Sequence, residues 1–287
     1  MPLRSPRLFT ANDGLATLGP DGVRLWRLLE RRFIEWERET GAEARVYPGL
    51  VATSDLAKFD YFQNFPHLAL CVSALRSEAI DMAYGPQHDV QELAAVPHGH
   101  LADGVHLLPS AACYPVYLEL AGETLAEPVS IGVMGRCFRN EREYEGLVRL
   151  HSFSMKEFVC VGHLEAVQAH IGSFKQRVLQ FVEAVGLPVA VCPAVDSFYD
   201  MNASRAVMQR LLPVKEEVVY ADRVAIASFN FHRNFFGERC GIRLEDGAYA
   251  HSGCVAFGVE RWIHALVDHF GGDVPMIERL LADPQSV

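Results

Sequence analysis

Two stretches of this 287-residue chain gather residue types that bind phosphates and flat rings. The first is Arg136-Cys137-Phe138-Arg139-Asn140-Glu141, followed beyond Gly146 by Arg149-Leu150-His151-Ser152-Phe153-Ser154-Met155-Lys156-Glu157-Phe158. A planar guanidinium there can clamp a phosphate through two parallel N–H donors. A phenylalanine on the returning segment offers a face for a flat heterocycle. The second stretch is Gly253-Cys254-Val255-Ala256-Phe257-Gly258-Val259-Glu260-Arg261. Its glycines let a ligand approach the backbone, and its arginine opens a helix. Taken singly, either stretch also reads as ordinary solvated ion pairs. Neither a Walker loop nor a GxGxxG occurs, so the common phosphate cradles are absent.

The elements that must position these residues follow from periodicity. Val23, Trp26, Leu29, Phe33 and Trp36 recur at helical spacing, and Gly41 can stop that helix. Residues 45 to 72 read as extended segments broken by Pro48, Gly49 and Pro66. Val129 to Phe138 is a strand, Gly146 marks a turn, and Arg149 to Val161 returns as a second strand. Leu164, Val167, Ile171, Phe174, Val178, Phe181 and Val185 form an amphipathic helix closed by Gly186 and Pro188. Short strands are expected at 188–195, 215–220 and 224–231. A last strand near 247–256 leads into a helix from about Val259 to His269. This pattern predicts an α+β fold, an antiparallel sheet flanked by helices. The length allows one large domain or two small ones.

Half the residues are hydrophobic and 22 % are charged, an ordinary globular balance. No apolar run approaches the roughly 20 residues needed to cross a bilayer, and the N-terminus carries no signal-peptide pattern, so a cytoplasmic location is the default expectation. The net charge of −10, with no Lys/Arg run, argues against a nucleic-acid-binding surface. The seven cysteines (Cys71, Cys113, Cys137, Cys160, Cys192, Cys240 and Cys254) form no CxxC, which points to reduced thiols rather than a disulfide framework.

In their order and spacing the two stretches resemble motifs 2 and 3 of the class II aminoacyl-tRNA synthetases. Phe138-Arg139-Asn140-Glu141 matches the Phe-Arg-x-Glu of motif 2, and Gly258-Val259-Glu260-Arg261 matches the end of motif 3. The segment from Tyr47-Pro48-Gly49-Leu50 through Tyr61-Phe62-Gln63-Asn64-Phe65-Pro66 lies where motif 1 builds the homodimer interface of that family. The resemblance implies that ATP binds with Arg139 on its α-phosphate and Glu141 near the adenine or the substrate amine. Phe153 would stack on adenine and Arg261 would meet the γ-phosphate, with Arg149 assisting. Mg2+ is implied too, but Val224-Ala225-Ile226-Ala227 stands where its usual carboxylate belongs. Cys113, Glu157 and Cys254 resemble the Zn2+ site of the methanogen-type seryl-tRNA synthetases and of their short relatives, the amino acid:[carrier protein] ligases. Three protein ligands leave a fourth position for a substrate amine.

The resemblance implies one catalytic domain over residues 1–287, with a helical insertion at 200–213. Motif 1 begins near residue 45 and little chain follows motif 3, so the ligases, rather than a synthetase with a separate tRNA-binding domain, are the nearer expected match. The implied activity is adenylation of a small amino acid, glycine or alanine, and its transfer to the phosphopantetheine thiol of a carrier protein rather than to tRNA. A stripped aminoacyl-tRNA synthetase and a non-catalytic regulatory paralogue are the alternatives. Phe229, Asn230 and His232 are expected to wall the amino-acid pocket, with Phe229 equally readable as core. Residues 202 to 212 read as a helix capped by Asn202 and ended by Pro213. Val207, Met208 and Leu211, beside Arg205 and Arg210, are the expected carrier-docking surface; their alternative is packing inward with the arginines solvated.

Overall fold

The computed structural model describes residues 5–86 and 93–283. Helix α1 (Pro20–Thr40) buries Leu25, Leu29, Phe33 and Trp36 along one face. Proline is at ease in its first turn, where no N–H is needed, and Gly41 closes it in the left-handed conformation at φ 69°. The chain continues through β1 (Glu43–Arg45), α2 (Tyr114–Glu119), β2 (Val129–Phe138), β3 (Ser152–Gly162) and α3 (Leu164–Ala184). Then follow β4 (Val189–Pro193), α4 (Ser204–Leu211), β5 (Lys215–Tyr220), β6 (Val224–Arg233), α5 (Phe235–Cys240), β7 (His251–Gly258), α6 (Val259–His269) and α7 (Val274–Ala282).

These seven strands form one sheet in the order β4-β5-β6-β7-β3-β2-β1. Its pairings are antiparallel except at the β1 edge, where Glu43–Arg45 runs parallel to Ile131–Val133. The sheet is therefore mixed rather than purely antiparallel. The long connection between β1 and β2 gives the chain room to return to the same end, which a parallel pair requires.

Alternation along the strands sorts the residues onto two faces. Phe229, Val255, Phe257 and Phe158 join the apolar layer beneath α1, α3, α6 and α7. Residues one step away, among them Asn230, Cys254 and Glu157, face the other side and line a cavity there. Lys156 goes with the apolar layer, where it is buried and its ammonium pairs with Glu37 of α1. Gly132 makes room for that carboxylate, since a Cβ at this position would collide with it. On the other face a second apolar cluster joins α2 and α5 to the helices Thr53–Lys58 and Tyr61–Asn64. Tyr117 stacks on Phe236 there, with centroids 3.8 Å apart.

Two local expectations need correction. Residues 45 to 72 are not a run of extended segments, because short helices and a 3-10 turn at Pro66–Leu68 occupy most of the stretch from 53 to 68. A six-residue helix such as Thr53–Lys58 spans fewer than two turns, too little for a periodic signal. Helix α4 is present, but its N-cap is Ala203, while the Asn202 N–H binds the Asp200 carboxylate at 2.8 Å. Among the described residues no helix is long and apolar enough to cross a membrane.

Candidate active site

Two cavities open on the polar side of the sheet. The smaller, of about 90 Å3, is lined by Arg139, Glu141, Phe153, Glu217, Glu260 and Arg261, among others. The larger, of about 440 Å3, holds Cys113, Glu157, Cys254, Asn230 and His232 and reaches Met208 of α4. Arg139, Met155, Lys215, Ser228 and Ala256 line both, so the two cavities share a wall.

Backbone carbonyls hold the arginines of the smaller cavity. Nε and an Nη of Arg139 donate to Ser110 O at 3.2 and 3.1 Å, and its guanidinium lies 5.1 Å from the centroid of the Phe153 ring. Nε of Arg261 donates to Val148 O at 2.8 Å and Nη1 to Ala225 O at 3.1 Å. Burial pulls the Arg261 guanidinium down to about 10, and Arg139 pushes in the same direction. It stays charged, and two cations kept close together call for an anion. Glu260 is committed elsewhere, accepting from Arg136 at 2.9 Å and from Ser154 N at 2.8 Å. Gly258 lines the cavity as expected of a close-approach glycine. Gly253 does not: a Cβ there would meet Ile171 and Val167, so its role is to let α3 pack on β7.

In the larger cavity the side chains of Cys113, Glu157 and Cys254 converge, their ligand atoms all within 4.8 Å of one another. All three residues are buried. Strand register brings two of them together. Cys254 pairs with Val159 and Ala256 with Glu157, so Cys254 and Glu157 are diagonal neighbours on one face. Cys113 arrives from the start of α2. The neighbouring Cys254 thiol, burial and the Glu157 carboxylate push the Cys113 thiol well up. Glu157 accepts a 2.6 Å hydrogen bond from Ala112 N. Two thiols and a carboxylate so close together repel as anions, and a divalent ion relieves that repulsion. The donor set fits such an ion, tetrahedral and borderline-soft zinc best of all.

Asn230 donates to Ser228 Oγ at 3.0 Å and to the Cys254 sulfur at 3.4 Å. His232 is held by Tyr117 Oη at 3.2 Å and Ser252 Oγ at 3.4 Å, its Nε2 lying 3.8 Å from the Cys254 sulfur. Burial pulls this imidazole down to about 4, so it is neutral at ordinary pH.

Not every expected residue joins the site. Phe229 lies on the core face between two pocket-facing neighbours, the direct result of a side-chain period of two. Arg149 is exposed on the loop and lines neither cavity. Arg205 is no free docking cation: it pairs with Asp60 at 3.4 Å and covers the Phe235 ring at 4.0 Å. Arg210 is exposed and donates to Met201 O at 2.8 Å. Met208 and Leu211 are exposed and Val207 half-buried, so α4 does present an apolar outer face. Lys215 and Glu217 escaped the sequence reading. The charged run Lys215-Glu216-Glu217, opening a strand that otherwise reads apolar, was the signal that this end of the strand meets a polar space.

A family model described as the tRNA synthetase class II core domain (G, H, P, S and T) matches residues 111–270. A solved structure of M. kandleri SerRS in complex with A. aeolicus tRNASec shares the fold, with a TM-score of 0.79 and 20 % identity. That match covers 94 % of this chain and 57 % of the other. Amino acid–[acyl-carrier-protein] ligase 1 of Bradyrhizobium diazoefficiens is 31 % identical over 301 residues, covering 95 % of this chain and 89 % of the relative. Ligase 2 of the same organism is 33 % identical over 256 residues, covering 85 % and 74 %. The chain belongs to the class II aminoacyl-tRNA synthetase core family and, within it, to the amino acid–[acyl-carrier-protein] ligases.

Proposed function

We propose that this protein uses ATP to activate a small amino acid, glycine or alanine, as its adenylate and then loads it onto the phosphopantetheine thiol of a carrier protein. The observation that carries this reading is the shared wall between an arginine-lined cavity and one built of thiols and a carboxylate. ATP enters the first, with Arg139 on the α-phosphate, Arg261 on the γ-phosphate, and Phe153 and Glu141 toward adenine. The amino acid enters the second. Zinc, held by Cys113, Glu157 and Cys254, would supply an open coordination position for the substrate amine. Asn230 and His232, beside Cys254, limit the room for a side chain.

The chemistry needs no enzyme nucleophile. A carboxylate oxygen of the amino acid attacks the α-phosphorus, the bond to the β-phosphate breaks, and pyrophosphate leaves. The carrier thiol gives up its proton, its sulfur attacks the adenylate carbonyl, and AMP leaves. Arg139 stabilises the charge that builds on the α-phosphoryl group. Magnesium would be held at Glu217, which faces the nucleotide on β5, opposite Ser228 and beside the segment 224–227. Met208, Leu211 and the half-buried Val207 on α4 receive the carrier. A second copy of the chain packs on the segment from Tyr47 to Pro66, where Leu50 and Phe62 are exposed.

ATP–pyrophosphate exchange across all twenty amino acids tests the first step. Thioester formation on a phosphopantetheinylated carrier tests the second. Exchange with glycine or alanine, and none with larger residues, is the expected result. Activation of serine or a larger residue in preference to both would overturn the substrate assignment.

A further inference from the structure

Resting on the activation reading above, we infer that Lys215 is the second cation that binds the substrate carboxylate, and that Gln209 of α4 positions it through Asp196. The geometry begins at the shared wall. An amino acid whose amine lies among Cys113, Glu157 and Cys254 and whose carboxylate meets an α-phosphate beside Arg139 must pass its carboxylate through the junction of the cavities. Among the residues lining both cavities the cations are Arg139 and Lys215.

Lys215 is built for that place. It opens β5, with its side chain 15 % exposed and its ammonium 3.0 Å from both Asp196 Oδ1 and Glu217 Oε1. An ammonium has three donors, so two partners leave one for a ligand.

Asp196 does not stand alone. Gln209 accepts from Asp196 N at 2.7 Å and donates to Asp196 Oδ2 at 3.0 Å, clamping both its backbone and its carboxylate. Gln209 lies on α4 next to the exposed Met208, and only residues 212–214 separate the end of the helix from Lys215. The helix that presents an apolar face outward is thereby tied to the junction by the chain itself and by a side-chain clamp. Lys215 moves no proton in adenylation. It fixes the carboxylate, while the new bond forms to the α-phosphorus and pyrophosphate departs.

The test compares two ligands that differ only at the carboxylate. Binding of the activated amino acid and of its amino alcohol (glycinol or alaninol) is measured by calorimetry on the zinc-loaded, full-length protein, with zinc content as a control of the fold. The wild type should prefer the amino acid. In Lys215→Gln that preference should fall by about tenfold, the worth of one hydrogen bond to a charged group, while the amino alcohol binds as before. A merely structural lysine would weaken both ligands alike, and an unchanged ratio or a parallel loss overturns the inference. Should Lys215→Gln fail to fold, Gln209→Leu carries the test, with an expected fall of about threefold, a fraction of one such bond; an unchanged ratio there overturns it as well. A wild type that binds neither compound overturns the functional reading and this inference with it.

Discussion

The two ends of the site are held together by opposite means. At the nucleotide end Arg139 and Arg261 are tied to the main-chain carbonyls of Ser110, Val148 and Ala225. Those cations are fixed by atoms the chain already owns, so this end is preformed before any ligand arrives. At the other end two thiols and a carboxylate converge in a buried space, a donor set that fits a divalent cation. The contrast teaches where a substitution should be felt. Nucleotide-end changes should cost rate and leave metal binding intact; changes among Cys113, Glu157 and Cys254 should cost metal binding first.

The largest effects are expected at the nucleotide end. Arg139→Ala and Arg261→Ala should each lower pyrophosphate exchange by about 10²- to 10³-fold, the scale for removing a preorganised charge-stabilising group. Both should keep one zinc per chain by elemental analysis, and a loss of zinc in either would break the contrast. Cys254→Ala should lose zinc and about 10²-fold in activation, because the amine is no longer held in line, while equilibrium dialysis still finds ATP bound. Wild-type protein that is active with no zinc would end the reading of that end as a metal site. Leu211→Glu should lower transfer to the carrier by about tenfold, the effect of losing a modest interface anchor. Adenylate formation should stay intact, since Leu211 is exposed and lines neither cavity. Smallest is Arg205→Met, which removes a part-buried cation from Phe235 and Asp60. It should lower unfolding stability by about 1 kcal/mol in urea, a cost in stability rather than a loss of docking.

The ends also differ in how far the sequence reveals them. Motif 2 and motif 3 are local, so strand β2 over Val129–Phe138 and the Gly258 to Arg261 corner could be read from contiguous residues. Cys113, Glu157 and Cys254 carry no spacing signal. They meet through the register of β3 against β7 and the start of α2, and only a family resemblance singled them out. Of the wall candidates Phe229, Asn230 and His232, Phe229 alone falls on the core face, because a strand shows each face every second residue. The helices between residues 53 and 68 were missed because one-turn elements leave no period to read.

Lys156 and Glu157 are consecutive, and the sheet separates them: one enters the apolar layer to meet Glu37 of α1, the other joins the two thiols. A one-residue slip of β3 would exchange them, putting an ammonium between the thiols and an unpaired carboxylate under the helix layer. Breaking a buried ion pair leaves an uncompensated charge, so that slip is penalised on both faces at once. Glu37 thereby acts as an alignment pin, helping from the far side of the sheet to hold the register that brings Glu157 to the two thiols.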